Sequence, residues 1–102
     1  MAVFSINPAT GVRRELNFEE TTVAQVNSIC ELASSVAEEY AGRPLTWRAQ
    51  LLRAMASELE ADAEHLVDVA DEETALGRSR LEGELRRTCF QLRFFADVVT
   101  DG

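Results

Sequence analysis

Two cysteines, one histidine and a surplus of carboxylates over arginines are the residues of this chain that could do chemistry. Cys30 and Cys89 are far apart and form no CxxC pair, which argues against a zinc knuckle or a disulfide framework. A nucleophilic cysteine needs an electropositive, partly exposed setting that favours the thiolate. Cys30 is followed by Glu31 and otherwise flanked by apolar residues, the wrong surroundings for that task. Cys89 has Arg86, Arg87 and Arg93 close in sequence, but no base is placed to take its proton. Both cysteines fall on apolar sides of helical stretches, so both are expected to be structural core residues. His65, between Glu64 and Leu66, would join a Cys–His dyad or a metal site only if folding gathered scattered residues. No ligand spacing is present, and a surface histidine is the expectation.

The carboxylates Glu58, Glu60, Asp62, Glu64, Asp68, Asp71, Glu72 and Glu73 recur at helical intervals. Paired-carboxylate catalysis needs two groups facing across a cleft, whereas this spacing lays them along solvated helix faces. Arg78, Arg80, Arg86, Arg87 and Arg93 would suit an anion clamp, but neighbouring acids offer them simpler partners. The chain holds no P-loop, GxGxxG, HExxH or GxSxG. The residues thus compose no catalytic, cofactor-binding or metal site, and the chain reads as a scaffold.

What positions these residues is one domain's worth of chain, 102 residues. A chain of this length buries roughly two thirds of its unfolded surface, enough for a modest core. With 46% hydrophobic and 27% charged residues it is expected to fold rather than stay disordered. A net charge of −8 argues against nonspecific binding to nucleic acid or to anionic membranes, both of which need positive charge. No apolar run approaches the roughly 20 residues that span a bilayer. MAVFSINPATG lacks the basic and long apolar regions of a signal peptide, so a cytoplasmic chain with reduced thiols is expected.

Val3, Phe4 and Ile6 suggest a strand, and Asn7-Pro8-Ala9-Thr10-Gly11 carries turn residues. A β-hairpin is predicted over about 2–17, and it needs something to pack against. Helices are predicted over about 22–41, 46–61, 63–76 and 79–99. Thr21 or Thr22 would cap the first, and Gly42 and Pro44 would end it. Its apolar face would carry Val23, Val26, Ile29, Cys30, Ala33, Val36, Ala37 and Tyr40. Thr46 would cap the second, with Leu51, Leu52, Met55 and Leu59 inward. Asp62 would cap the third, or the second and third would join with a bend, and Gly77 would close it. Ser79-Arg80-Leu81-Glu82 reads as a capping box opening the fourth. That helix would turn Leu81, Leu85, Thr88, Leu92, Phe95 and Val99 inward, widened by Cys89, Phe94 and Ala96. Glu82 and Arg86 would pair on its wet side. The fold class is therefore mainly α with an N-terminal β-hairpin. Such a hairpin before amphipathic helices is unusual as a complete domain.

The order of segments resembles the aldehyde dehydrogenases. INPATG at 6–11 is similar to the strand and turn with which they open. RAQLLRAMASELEADAEHLVDVADEETALG at 48–77 resembles their Arg, Leu-Leu-Arg and a helix ending in Glu-Thr-Gly. SRLEGELRRTCFQLRFFADVV at 79–99 is similar to one branch, the NADP-preferring enzymes acting on 2-oxoglutarate semialdehyde (2,5-dioxopentanoate) and fatty aldehydes. Ala75 departs from the family's usual glycine, Gly77 from the branch's proline, and Cys89 and Phe90 from a threonine and a small residue.

The resemblance implies that 1–102 is the N-terminal part of an α/β enzyme several times longer, within its coenzyme-binding domain. The implied chemistry is thiolate attack on an aldehyde, hydride transfer to NAD(P)+ and hydrolysis by a glutamate-activated water. The family's residues for those steps lie beyond this stretch, so neither Cys30 nor Cys89 takes the nucleophile's role. The resemblance also implies a homo-oligomeric full-length enzyme. Exposed apolar faces here would meet the rest of the enzyme or other subunits. Two other readings remain at this point. One is a standalone helical interaction module; the other is a small independent enzyme using Cys89 or Cys30.

Overall fold

Thr22 decides where helical structure begins. Its hydroxyl accepts from the Gln25 N–H at 3.1 Å, and the Gln25 side chain accepts from the Thr22 N–H at 2.8 Å. This reciprocal capping box satisfies donors that a helix start leaves without partners. The computed structural model describes Met1–Gly102, and its backbone divides into two units.

The first unit contains Met1–Ser5 and Arg13–Arg43. Strand β1 (Ala2–Ile6) pairs with β2 (Arg13–Glu19) in a two-stranded sheet. The Glu20 N–H donates to the Met1 carbonyl at 3.0 Å, and the Met1 ammonium lies 3.2 Å from Glu19. The Arg13 guanidinium sits 3.6 Å from the centre of the Phe4 ring, a cation–π contact across the strands. Strand β2 therefore outlasts the predicted end of the hairpin near residue 17. Helix α1 (Val23–Gly42) follows the capping box and passes through Gly42. It stops at Arg43, which is extended as the residue before Pro44 must be. No residue of α1 is buried, and Ile29 and Leu32 are 61% and 66% exposed. Cys30 is exposed with them, which corrects its expected place in the core. Helical spacing gathers an apolar face, but only a packing partner buries it.

The second unit contains Ile6–Val12 and Pro44–Gly102. In its short loop the Asn7 side chain accepts from the Ala9 and Thr10 N–H groups at 2.9 and 3.2 Å, an Asx-type turn. Gly11 takes φ +73°, the left-handed conformation that glycine adopts without a side-chain clash. Helix α2 (Leu45–Ala61) starts one residue before the predicted Thr46 cap. Pro44 occupies the N-cap position and makes no side-chain cap bond. Its carbonyl accepts from the Trp47 and Arg48 N–H groups. Asp62 separates α2 from α3 (Ala63–Thr74), and its side chain makes no cap bond either.

Helix α3 ends at Thr74, before the predicted stop at Gly77, because Ala75 turns left-handed at φ 55°. The Ala75 N–H donates to the Asp71 carbonyl and the Gly77 N–H to the Asp71 carboxylate, at 2.8 and 2.9 Å. Gly77 then serves as N-cap of α4 (Arg78–Asp101), so Ser79 lies inside the helix and its predicted capping box does not form. A left-handed alanine costs roughly 1–2 kcal/mol that glycine avoids. Ala75→Gly is therefore expected to stabilise the chain by about 0.5–1 kcal/mol, after the glycine's greater unfolded-state entropy is counted. Thermal melts should show a rise of several degrees; a fall would mean that Ala75 is not strained.

The buried core of the second unit is mostly small residues. Ala49 and Ala56 lie on one face of α2, and Cys89 and Ala96 on one face of α4; all four are buried. Each pair is seven residues apart, nearly two helical turns, so both members meet the same neighbour. Small side chains let the two axes approach closely. The predicted α4 stripe is thus rotated. Leu81, Cys89 and Ala96 are buried, while Thr88, Phe94 and Phe95 are exposed. A phenyl ring on the contact line would hold the helices apart. For the same reason Met55, expected inward, is 47% exposed while Ala56 is fully buried. Val67 of α3 and Leu81 complete the buried set.

Candidate functional site

The densest polar arrangement lies where α2 and α4 run side by side. Arg53 reaches Asp97 at 2.8 Å. Glu60 and Arg93 make a two-pronged contact, Arg93 Nη2 to Glu60 Oε2 at 2.9 Å and Arg93 Nη1 to Glu60 Oε1. The sequence positions rise along α2 as they fall along α4, so the helices are antiparallel. Across the same two helices the Cys89 thiol donates to the Ala56 carbonyl at 3.5 Å. Arg78 at the start of α4 pairs with Asp68 of α3 and lies 3.6 Å from Glu82. The partner of Glu82 is thus Arg78, not the predicted Arg86, although both arginines stand one turn from it on the same face.

The fork of Arg93 holds the Glu60 carboxyl below its ordinary value near 4.5, chiefly through the hydrogen bonds. Partial desolvation opposes this, and charge attraction adds to it. The same bond raises Arg93 above its usual range. A folded-state carboxyl with a lowered pKa contributes stability that is present above the unfolded value and lost as pH falls through the folded one. Glu60 therefore supports the fold at neutral pH and stops doing so in acid. Both side chains are largely exposed, so the contribution is small. Glu60→Gln is expected to lower the urea midpoint slightly at neutral pH and by progressively less at an acid pH below the carboxylate range. An equal shift at both pH values would show that the carboxylate's charge plays no part.

The residues weighed for chemistry are not brought together. Cys30 is exposed on α1, Cys89 is enclosed between α2 and α4, and His65 is exposed near the start of α3. No group of three or more His, Cys, Asp or Glu side chains converges as a metal cage. The eight carboxylates lie on exposed or half-exposed positions of α2, α3 and the link between them. Glu60 and Asp68 are engaged by arginines, and Asp71 holds the Gly77 N–H. Of the five arginines, Arg78 and Arg93 hold acids, so the group forms no common clamp.

A shallow groove of about 840 Å³ runs along α2 to α3, floored by Leu51, Ala54, Met55, Leu59 and Leu66. Glu58 and Asp62 stand at its rim. On α4 the Phe90 and Phe94 rings stack with centres 6.3 Å apart, and Phe95 meets Phe94 edge-on at 5.5 Å. These rings are 51–67% exposed. Eighteen large apolar side chains are exposed over the chain. Only two large apolar side chains, Val67 and Leu81, are buried, and exposed apolar surface on this scale marks contact faces. Exposed apolar faces were expected from the resemblance, but periodicity alone does not tell which faces are covered. No helix is long and apolar enough to cross a membrane.

Comparison with known proteins adds what this geometry lacks. The aldehyde dehydrogenase family profile matches residues 2–101. The chain is 46% identical over 79 residues to alpha-ketoglutaric semialdehyde dehydrogenase 2 of Azospirillum brasilense, covering 78% of this chain and 15% of that protein. It is 32% identical over 85 residues to alpha-ketoglutaric semialdehyde dehydrogenase of Acinetobacter baylyi, covering 83% of this chain and 16% of that one. The chain thus spans about one sixth of the length of these curated relatives.

Proposed function

The chain belongs to the aldehyde dehydrogenase family, and from that premise we propose that it is the N-terminal part of an NAD(P)+-dependent enzyme oxidising an aldehyde to the carboxylate. The proposed substrate is a semialdehyde, 2-oxoglutarate semialdehyde in the first instance, since both relatives carry that activity in their names. The observation that carries the reading is the family match over nearly every residue, in a stretch that supplies so little of the relatives' length. The exposed apolar side chains support it, because a segment of a larger enzyme would present the surfaces that the remainder covers.

In this reading the 102 residues contribute part of the coenzyme domain's frame and no catalytic or coenzyme-contacting group. An anionic dinucleotide fits the residues present poorly. The groove on α2 and α3 is rimmed by Glu58 and Asp62, which would repel a pyrophosphate. At the start of α1 the Gln25 N–H is already taken by the Thr22 hydroxyl. No step of the reaction is therefore routed through this segment. The oxidation would rest on a nucleophilic cysteine, a glutamate and a coenzyme loop elsewhere in the polypeptide. Cys89 is enclosed and Cys30 stands on an apolar helix face. The same reading places the enzyme in the cytoplasm as a homo-oligomer.

Two preparations test this. The 102-residue chain is expected to show no NAD(P)H formation at 340 nm with 2-oxoglutarate semialdehyde. The open reading frame, expressed with whatever coding sequence follows Gly102, is expected to show it. Turnover by the 102-residue chain, abolished by Cys89→Ser or Cys30→Ser, would overturn the reading in favour of a small independent enzyme. A longer product without aldehyde oxidation would overturn the proposed activity. A frame that stops at Gly102, with a well-behaved monomer or defined oligomer of 11.3 kDa, would favour a helical interaction module.

A further inference from the structure

We draw no further inference here: the strongest candidate, the exposed apolar stripe of α1 from Val23 to Val36 with Cys30 in its middle, carries nothing because nothing in the structure shows what covers it.

Discussion

Ala56→Leu is expected to cost about 3 kcal/mol, near the upper end for overpacking a filled contact. Ala56 has no exposed surface, and its carbonyl accepts the Cys89 thiol hydrogen bond. Three added heavy atoms at that point must push α4 away or force a strained rotamer. Pushing α4 away loosens the burial of Ala49 and Ala96 as well, and it stretches both Arg53–Asp97 and Glu60–Arg93. Few other buried residues exist to take up the loss, since the core numbers six. For a domain of this size the thermal midpoint should fall by roughly 10–20 °C. Circular dichroism at the helical band and Trp47 fluorescence should report it together. Ala54→Leu is the matched control, two residues away and exposed, and should change the stability by less than about 0.5 kcal/mol. If the Ala56 and Ala54 variants melt alike, α2 and α4 are not in close contact at Ala56.

The two thiols should differ in reactivity by about a hundredfold or more. Cys30 is exposed and Cys89 is 2% exposed between two helices. An aromatic disulfide reagent can reach Cys89 only when α2 and α4 separate. A hundredfold delay corresponds to an opening free energy of about 2.7 kcal/mol. Native labelling followed by mass spectrometry of the peptides should show Cys30 modified first. Denaturant should erase the difference, because it arises from access. Ala56→Leu should speed Cys89 labelling and leave Cys30 unchanged, which ties the two predictions together. Equal native rates would mean that the seam opens freely and that the small-residue contact adds little.

The contrast between these cysteines shows how far the sequence carries. Both lie at apolar positions of strongly periodic helices, and periodicity predicts burial for both. It identifies a face but says nothing about whether another element lies on it. The structure buries Cys89 because α2 offers a facing line of alanines, and leaves Cys30 exposed because α1 buries none of its residues. The α4 stripe carries the same lesson. Leucine and phenylalanine positions mark the apolar side, yet the close contact runs through Cys89 and Ala96. Contact distance is set by the smallest residues on the face, and hydrophobicity does not rank those first.

Helix ends divide in a similar way. A start at Thr21 or Thr22 was legible, because a cap is a local exchange of hydrogen bonds, and the structure uses Thr22 with Gln25. Thr46 and Ser79 looked equally good and were not used. At those points the backbone enters the helix earlier, through Pro44 and Gly77. Proline has its φ already set for such a turn, and Gly77 takes φ +94°, which a side chain disfavours. A conformational constraint on the chain thus outweighed the available side-chain caps. The left-handed Ala75 was not legible at all, since alanine normally continues a helix.

By itself, the sequence determined the hairpin, the four helices, the acidic surface and, through the order of its segments, membership in a family of aldehyde-oxidising enzymes. These depend on local backbone preference, side-chain period and a succession of short motifs, all of which are written residue by residue. Only the tertiary structure decided which apolar faces are closed and which stay open, which arginine holds which acid, and which of two similar cysteines is shielded. Those outcomes depend on distances between residues remote in sequence, and such distances are set by how closely two helices can approach.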